Sequence, residues 1–191
     1  MQNKPYKRKI RKFLHEKEIS RVIDLCCHTK YPARNETLLL VTYNHALRAG
    51  ETCDLRWDQI DFENNQINIL RQKGGNNSIH PLVLREKELL LNIYENRKKD
   101  SPYVFISERN DKFEPQNFYR LTLKLGKLAR FDFVFTPHML RHAKGTFLAN
   151  NNVHILKIKA FLGHKRLSST ELYTHLAANQ FNDINCGSIF S

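Results

Sequence analysis

Thr136-Pro137-His138-Met139-Leu140-Arg141-His142, followed by Leu162-Gly163-His164 and then Leu172-Tyr173-Thr174-His175, gathers an arginine, several imidazoles and a phenol into one short stretch. Threonine then proline is helix-start chemistry, with Thr136 as cap and Pro137 at the first helical position, where its missing N–H costs nothing. His138 and Arg141 then lie three residues apart on one face of the first turns. The positive end of that helix favours an anion, and Arg141 adds a forked donor that fits phosphate. Read alone, the segment is an ordinary capped helix with an exposed histidine and an arginine in a salt bridge. A zinc reading of His138 and His142 fails, because the glutamate of a His-Glu-x-x-His motif and a third ligand are both missing. No metal is expected.

Working outward, apolar residues recur at helical spacing over about 15–28, and Tyr31-Pro32 breaks that run. A second helix is predicted from Ala33 to Leu47, punctuated by Gly50 before a short turn of helix over 51–55, so that Arg48 falls at a helix-to-helix corner. Segments 57–62, 66–70 and 78–83 alternate apolar and polar residues around Glu63-Asn64-Asn65 and Gly74-Gly75-Asn76-Asn77, which predicts a three-stranded antiparallel meander with Lys73 at the mouth of its second turn. Helices are predicted at 85–97, 114–130, 137–151, 153–162 and 168–173. The fold class is therefore mixed, mainly α with a small antiparallel sheet.

The 191 residues suit one domain with a real core. Lys and Arg number 31 against 19 acidic residues, a net charge of +12, and the pI near 9.7 points to a polyanionic partner. Six of the first twelve residues are basic: Lys4, Lys7, Arg8, Lys9, Arg11 and Lys12. They are read as a DNA-contacting arm over 1–14, leaving 15–191 as the domain proper. No apolar run has signal-peptide or membrane-span length, so a cytoplasmic, nucleoid-associated protein is expected. Cys26, Cys27, Cys53 and Cys186 form no Cys-x-x-Cys pair and are read as reduced, buried thiols.

Arg48 stands in His45-Ala46-Leu47-Arg48-Ala49-Gly50-Glu51, with Leu55-Arg56-Trp57-Asp58 beyond; Lys73 stands in Arg71-Gln72-Lys73-Gly74-Gly75, before Ile79-His80-Pro81-Leu82. Each is unremarkable by itself. Together with His138, Arg141, His164 and Tyr173, they resemble the tyrosine recombinases of the phage-integrase family, in order and in spacing, from about 34 to 175. The resemblance implies the catalytic domain of that family. It assigns Arg48, Arg141 and His164 to the charge on a scissile phosphate, Lys73 to protonating the leaving alkoxide, and Tyr173 to nucleophilic attack. His138 would accept or relay the phenol's proton, and Glu51 would support Arg48.

The compact layout and the text around His80 and His138 are similar to the fimbrial phase-variation recombinases, the FimB, FimE and MrpI kind. That implies inversion of a promoter-bearing segment between short inverted repeats in double-stranded DNA. It further implies a homotetramer exchanging strands through a Holliday junction, accessory DNA-bending proteins, and no cofactor. A separate amino-terminal clamp domain is not expected. A mobile-element integrase, a type IB topoisomerase and a non-catalytic DNA-binding regulator on the same scaffold are the alternatives.

Overall fold

The structure is a computed structural model that describes residues 11–72, 74–97, 101–171 and 173. Eight helices are assigned there: α1 (Glu16–Asp24), α2 (Pro32–Asn44), α3 (Ala49–Cys53), α4 (Leu84–Glu95), α5 (Pro115–Leu128), α6 (Pro137–Asn150), α7 (Ile155–Leu162) and α8 (Ser168–Glu171). One sheet of order β1-β2-β3 (Ile60–Asp61, Gln66–Ile69, Ser78–Pro81) stands between α3 and α4. α2 is the central post, packing on α1, α3, α4 and α6. Its Leu38, Leu39 and Val41 are fully buried in a core shared with Phe105, Phe118, Phe135 and Leu140.

The meander is present but shorter than its alternation predicts. Only Ile60 and Asp61 pair with β2, in the register Ile60↔Ile67 and Asp61↔Gln66. The front half of the predicted first strand is engaged elsewhere. Trp57 N donates to Pro102 O at 3.0 Å and Arg56 bridges to Tyr103, so Trp57–Gln59 winds into a single 3-10 turn. At the first hairpin Asp61 accepts from the Asn64 backbone at 2.9 Å, and Asn65 takes φ 53°, a left-handed conformation that asparagine tolerates.

β2 and β3 pair as Ile67↔His80 and Ile69↔Ser78, with Ile67 and Ile69 inward. That register turns His80 into the core and Ile79 to solvent, where it is 67% exposed. A buried polar seam results. His80 stacks on Phe161 of α7 at 4.1 Å, shares a hydrogen bond with His45 at 3.3 Å, and His45 pairs with Glu86 of α4 at 2.9 Å. Burial holds the His80 imidazole down to about 3, hence neutral, which is the form a buried, bonded ring tolerates.

Leu14 is buried in the core, and Arg11 makes a two-pronged ion pair with Glu18, both contacts at 2.7 Å, while lying over the Phe133 ring. Arg11, predicted to lie along DNA phosphates, is therefore already partnered inside the domain. Lys12 is exposed. Lys4, Lys7, Arg8 and Lys9 lie outside the described residues, as does Cys186. Cys26 and Cys53 are buried free thiols, but Cys27 is exposed, because it sits on the outer side of the 3-10 turn that follows α1.

Candidate active site

The site is assembled where three chain segments end. α2 closes at His45, and the chain then turns through Ala46, whose φ of 49° lies in the left-handed region, before Arg48 caps α3 in extended conformation. Glu51, in the first turn of α3, reaches back to accept the Arg48 backbone N–H at 2.9 Å, the reciprocal half of a capping box. That places its carboxylate under the arginines. It takes Arg48 Nη1 at 2.6 Å and Arg71 Nη1 at 2.9 Å, with Arg141 Nη1 at 3.9 Å. Burial opposes ionisation of Glu51, but the Arg48 backbone N–H, the Arg71 charge and the guanidinium hydrogen bonds overcome it and hold the carboxyl below its usual range.

α6 supplies Arg141. Thr136 is its N-cap residue, as read from the sequence, but makes no side-chain cap bond. Arg141 is 2% exposed, and its guanidinium is held by main chain: Nη1 donates to Ala46 O at 2.5 Å and Nη2 to Leu162 O at 2.8 Å. Burial, then the neighbouring Arg48 and Arg71, lower its pKa to about 10, so it remains a cation at neutral pH. His138, three residues earlier, stands at the surface. Partial desolvation and then the charges of Arg141 and Arg48 hold its pKa below the ordinary imidazole value.

α7 ends at Gly163, φ 67°, where glycine is required twice: for the left-handed turn, and because a Cβ there would come within 2.8 Å of the Arg71 side chain. His164 follows, its Nδ1 3.0 Å from the buried Thr170 hydroxyl. Burial, then Arg141, Arg48 and Arg71, bring it to about 4, leaving a neutral imidazole at physiological pH. Arg48, Gly75, Gly163, His164, Lys165, Arg166 and Ser169 line a cavity of about 230 Å³ with no carboxylate in its wall among the described residues. Arg48, 31% exposed, lines it together with Arg166, whereas Arg141 is buried. Lys73 lies outside the described residues. Its neighbour Gly75 is in that wall, and Gly74 approaches Lys165 so closely that a Cβ would meet the ammonium at 2.7 Å.

Tyr173, just past α8, is 2% exposed in a small apolar nest of Ala46, Ala149, Ile158 and Leu162. Burial raises its pKa against the lowering effect of Arg141. The group on its hydroxyl is His142, Nδ1 at 2.9 Å, whereas His138 meets His142 edge-on at 4.3 Å between ring centres. Arg48, Glu51, Arg141, His164 and Tyr173 thus gather in one region of the fold, with His138 one ring away from the phenol.

Two contributors are absent from the sequence reading. Arg71 has a fully buried side chain and donates to His45 O at 3.1 Å, Ala46 O at 3.3 Å and Phe161 O at 2.6 Å, besides Glu51. One guanidinium therefore ties the end of α2, the end of α7 and the strand leading to Lys73. A basic residue three positions before a Gly-Gly turn is a weak signal, and nothing in the local text marks it as buried. The sequence places His142 beside Arg141, but the ring that folds against it comes from 31 residues further along the chain.

The arrangement can bind an oxyanion with cationic and neutral donors and hold a phenol on the same helix as Arg141. Among known proteins, the family model of the phage integrase family matches residues 12–180. The chain is 34% identical over 188 residues to the type 1 fimbriae regulatory protein FimB of Escherichia coli (strain K12), covering 96% of this chain and 94% of that protein. It is 30% identical to the tyrosine recombinase XerA of Pyrococcus horikoshii over 189 residues, 96% of this chain but 63% of that protein. The crystal structure of XerA recombinase superposes with a TM-score of 0.78 at 28% identity, covering 91% of this chain and 64% of that one. No helix among the described residues is long and apolar enough to cross a membrane. Fold, cleft and sequence match agree: the chain belongs to the phage integrase family, the tyrosine recombinases.

Proposed function

We propose that this protein is a site-specific DNA recombinase that cuts and rejoins strands through a 3′-phosphotyrosine on Tyr173. The observation that carries the reading is the convergence of Arg48, His164, Lys165 and Arg166 on one cavity, backed by Arg141 on the helix against which the phenol is held. A phosphodiester resists attack because it is anionic and its leaving alkoxide is a strong base. Arg48 and Arg141 neutralise the charge that develops, His164 donates a hydrogen bond to it, and Lys73 delivers the proton to the departing 5′ oxygen. The covalent link conserves the bond energy, so rejoining to a new partner strand needs neither nucleotide hydrolysis nor a divalent metal.

The finer reading is inversion of a promoter-bearing segment between short inverted repeats, carried out by a homotetramer aided by DNA-bending proteins. It is supported by the match along nearly the whole of FimB. Lys12, with Lys4, Lys7, Arg8 and Lys9 before it, contributes sequence-independent phosphate contacts. Tyr173→Phe tests the core of the proposal, because the ring is kept and the attacking oxygen is lost. Covalent protein–DNA adduct disappears on denaturing gels while binding stays within a few-fold; adduct persisting with Phe at 173 would assign the nucleophile elsewhere.

A further inference from the structure

His142 is the residue in contact with the reacting atom of Tyr173, and the contact is built rather than incidental. The phenol ring lies flat on α6 at Gly145, where a Cβ would come within 2.5 Å of Cε1 and Cζ. Only the missing side chain at 145 lets the hydroxyl settle 2.9 Å from Nδ1 of His142, three residues earlier on the same helix. Ala46, Ala149, Ile158 and Leu162 close the other sides of the phenol ring. Neutral imidazole has one donor and one acceptor nitrogen, so a phenol donating to Nδ1 leaves the ring hydrogen on Nε2.

We propose that His142 is a catalytic residue of strand cleavage, accepting the hydroxyl proton of Tyr173 as that oxygen bonds to phosphorus. The inference rests on the recombinase reading. In the step, the Oη–P bond forms and the P–O5′ bond breaks. The phenol proton passes to Nδ1 to give an imidazolium, and the 5′ alkoxide takes a proton from the general acid. Rejoining runs the same transfers backwards, with His142 returning a proton to the departing phenolate.

The surroundings suit a base of this kind. The groups around the ring are His138 and Arg141 on its own helix, Lys12 before α1, His164 after α7, and Tyr173 itself. Burial first, then His138, Arg141 and Lys12, hold the imidazole down to about 4, so at neutral pH Nδ1 keeps its lone pair. Such a base does not ionise the resting phenol, whose pKa burial raises. As the oxygen bonds to phosphorus it becomes a far stronger acid, and a base between the two limits takes the proton within the step. The imidazolium, disfavoured beside Arg141, is short-lived, and the exposed His138 ring meets it edge-on at 4.3 Å between ring centres.

The test compares wild type with His142→Gln and His142→Ala in single-turnover cleavage of a nicked duplex carrying a short inverted repeat identified by sequencing the DNA on either side of the gene. Glutamine can still accept the phenol's hydrogen bond but cannot take up its proton. Both variants are expected to bind the duplex within about twofold and to form adduct on the order of 100-fold more slowly at pH 7, the usual scale of general-base catalysis. Wild type should show a flat rate between pH 6 and 8, whereas the variants should gain about tenfold per pH unit as phenolate must form beforehand. Added imidazole should restore part of the rate to His142→Ala alone. A wild-type rate in the Gln variant overturns the proposal, and a faster rate makes His142 only a restraint on the resting tyrosine. Absence of adduct in wild type itself would sink the recombinase reading, an outcome distinct from either.

Discussion

Replacing Glu51 with Gln probes the centre of the site without changing its shape. The carboxylate is 4% exposed and is the counter-charge to Arg71, whose side chain is fully buried. Removing one partner of a buried ion pair costs about 3–5 kcal/mol, because the other charge is left uncompensated. The Arg48 contact adds little to that sum, since Arg48 is 31% exposed and water screens it. For a chain of this size, a loss of that order lowers Tm by roughly 6–20 °C. Urea unfolding at pH 7, followed by circular dichroism, should show the midpoint falling with an unchanged slope. The pH dependence provides an independent check. The folded pKa of Glu51 is lowered, so its contribution is fully present above the unfolded value of about 4.3 and is lost as pH falls through the folded value. Wild type should therefore lose stability more steeply than Glu51→Gln below about pH 5. A cost under about 1 kcal/mol, or the same cost in an Arg71→Met background, would refute the idea that this pair holds the site together.

Gly145→Ala should destabilise the protein despite sitting in a helix, where alanine ordinarily gains about 1 kcal/mol over glycine. The new Cβ would stand 2.5 Å from the Tyr173 ring, and overpacking of that kind costs about 1–3 kcal/mol. Thermal melts together with tetranitromethane labelling of Tyr173 read the outcome; a higher Tm with Tyr173 still protected would contradict the seat described above. Lys73→Ala should be rescued by a substrate whose 5′ leaving group is a thiol, which departs without a proton, while Arg141→Ala should not. Equal rescue of both would remove Lys73 from the role of general acid.

Most of the fold is legible in the sequence because helix starts and stops carry local chemistry. Pro32, Pro115 and Pro137 open α2, α5 and α6, and Gly163 closes α7. The sheet is less legible, because pairing is not local. Alternation alone cannot tell that Trp57 is hydrogen-bonded to Pro102, nor that the Ile67↔His80 register turns Ile79 outward and a histidine inward. The order and spacing of Arg48, Arg141, His164 and Tyr173 brought out the site, but not how each is held. The anchors of Arg141 are backbone oxygens at 46 and 162, distant in sequence and silent in side-chain terms. Arg71 and His142 escaped notice for a related reason: the first is defined by burial, the second by the ring that happens to fold against it.

The left-handed turn at Ala46 has a consequence for how this site can change over time. One carbonyl there, carried at φ 49°, accepts from both Arg141 and Arg71. Every amino acid carries such an oxygen, so these hydrogen bonds ask only for an angle, while the buried side chain beside Tyr173 asks for something small and apolar. A left-handed L-residue gives up roughly 1 kcal/mol to hold that angle, tolerable for alanine and worse for any β-branched replacement. Drift at residue 46 is therefore filtered by backbone shape as well as by side-chain polarity. A valine there, apolar like the alanine it replaces, would swing the carbonyl away and unhook two guanidiniums at once.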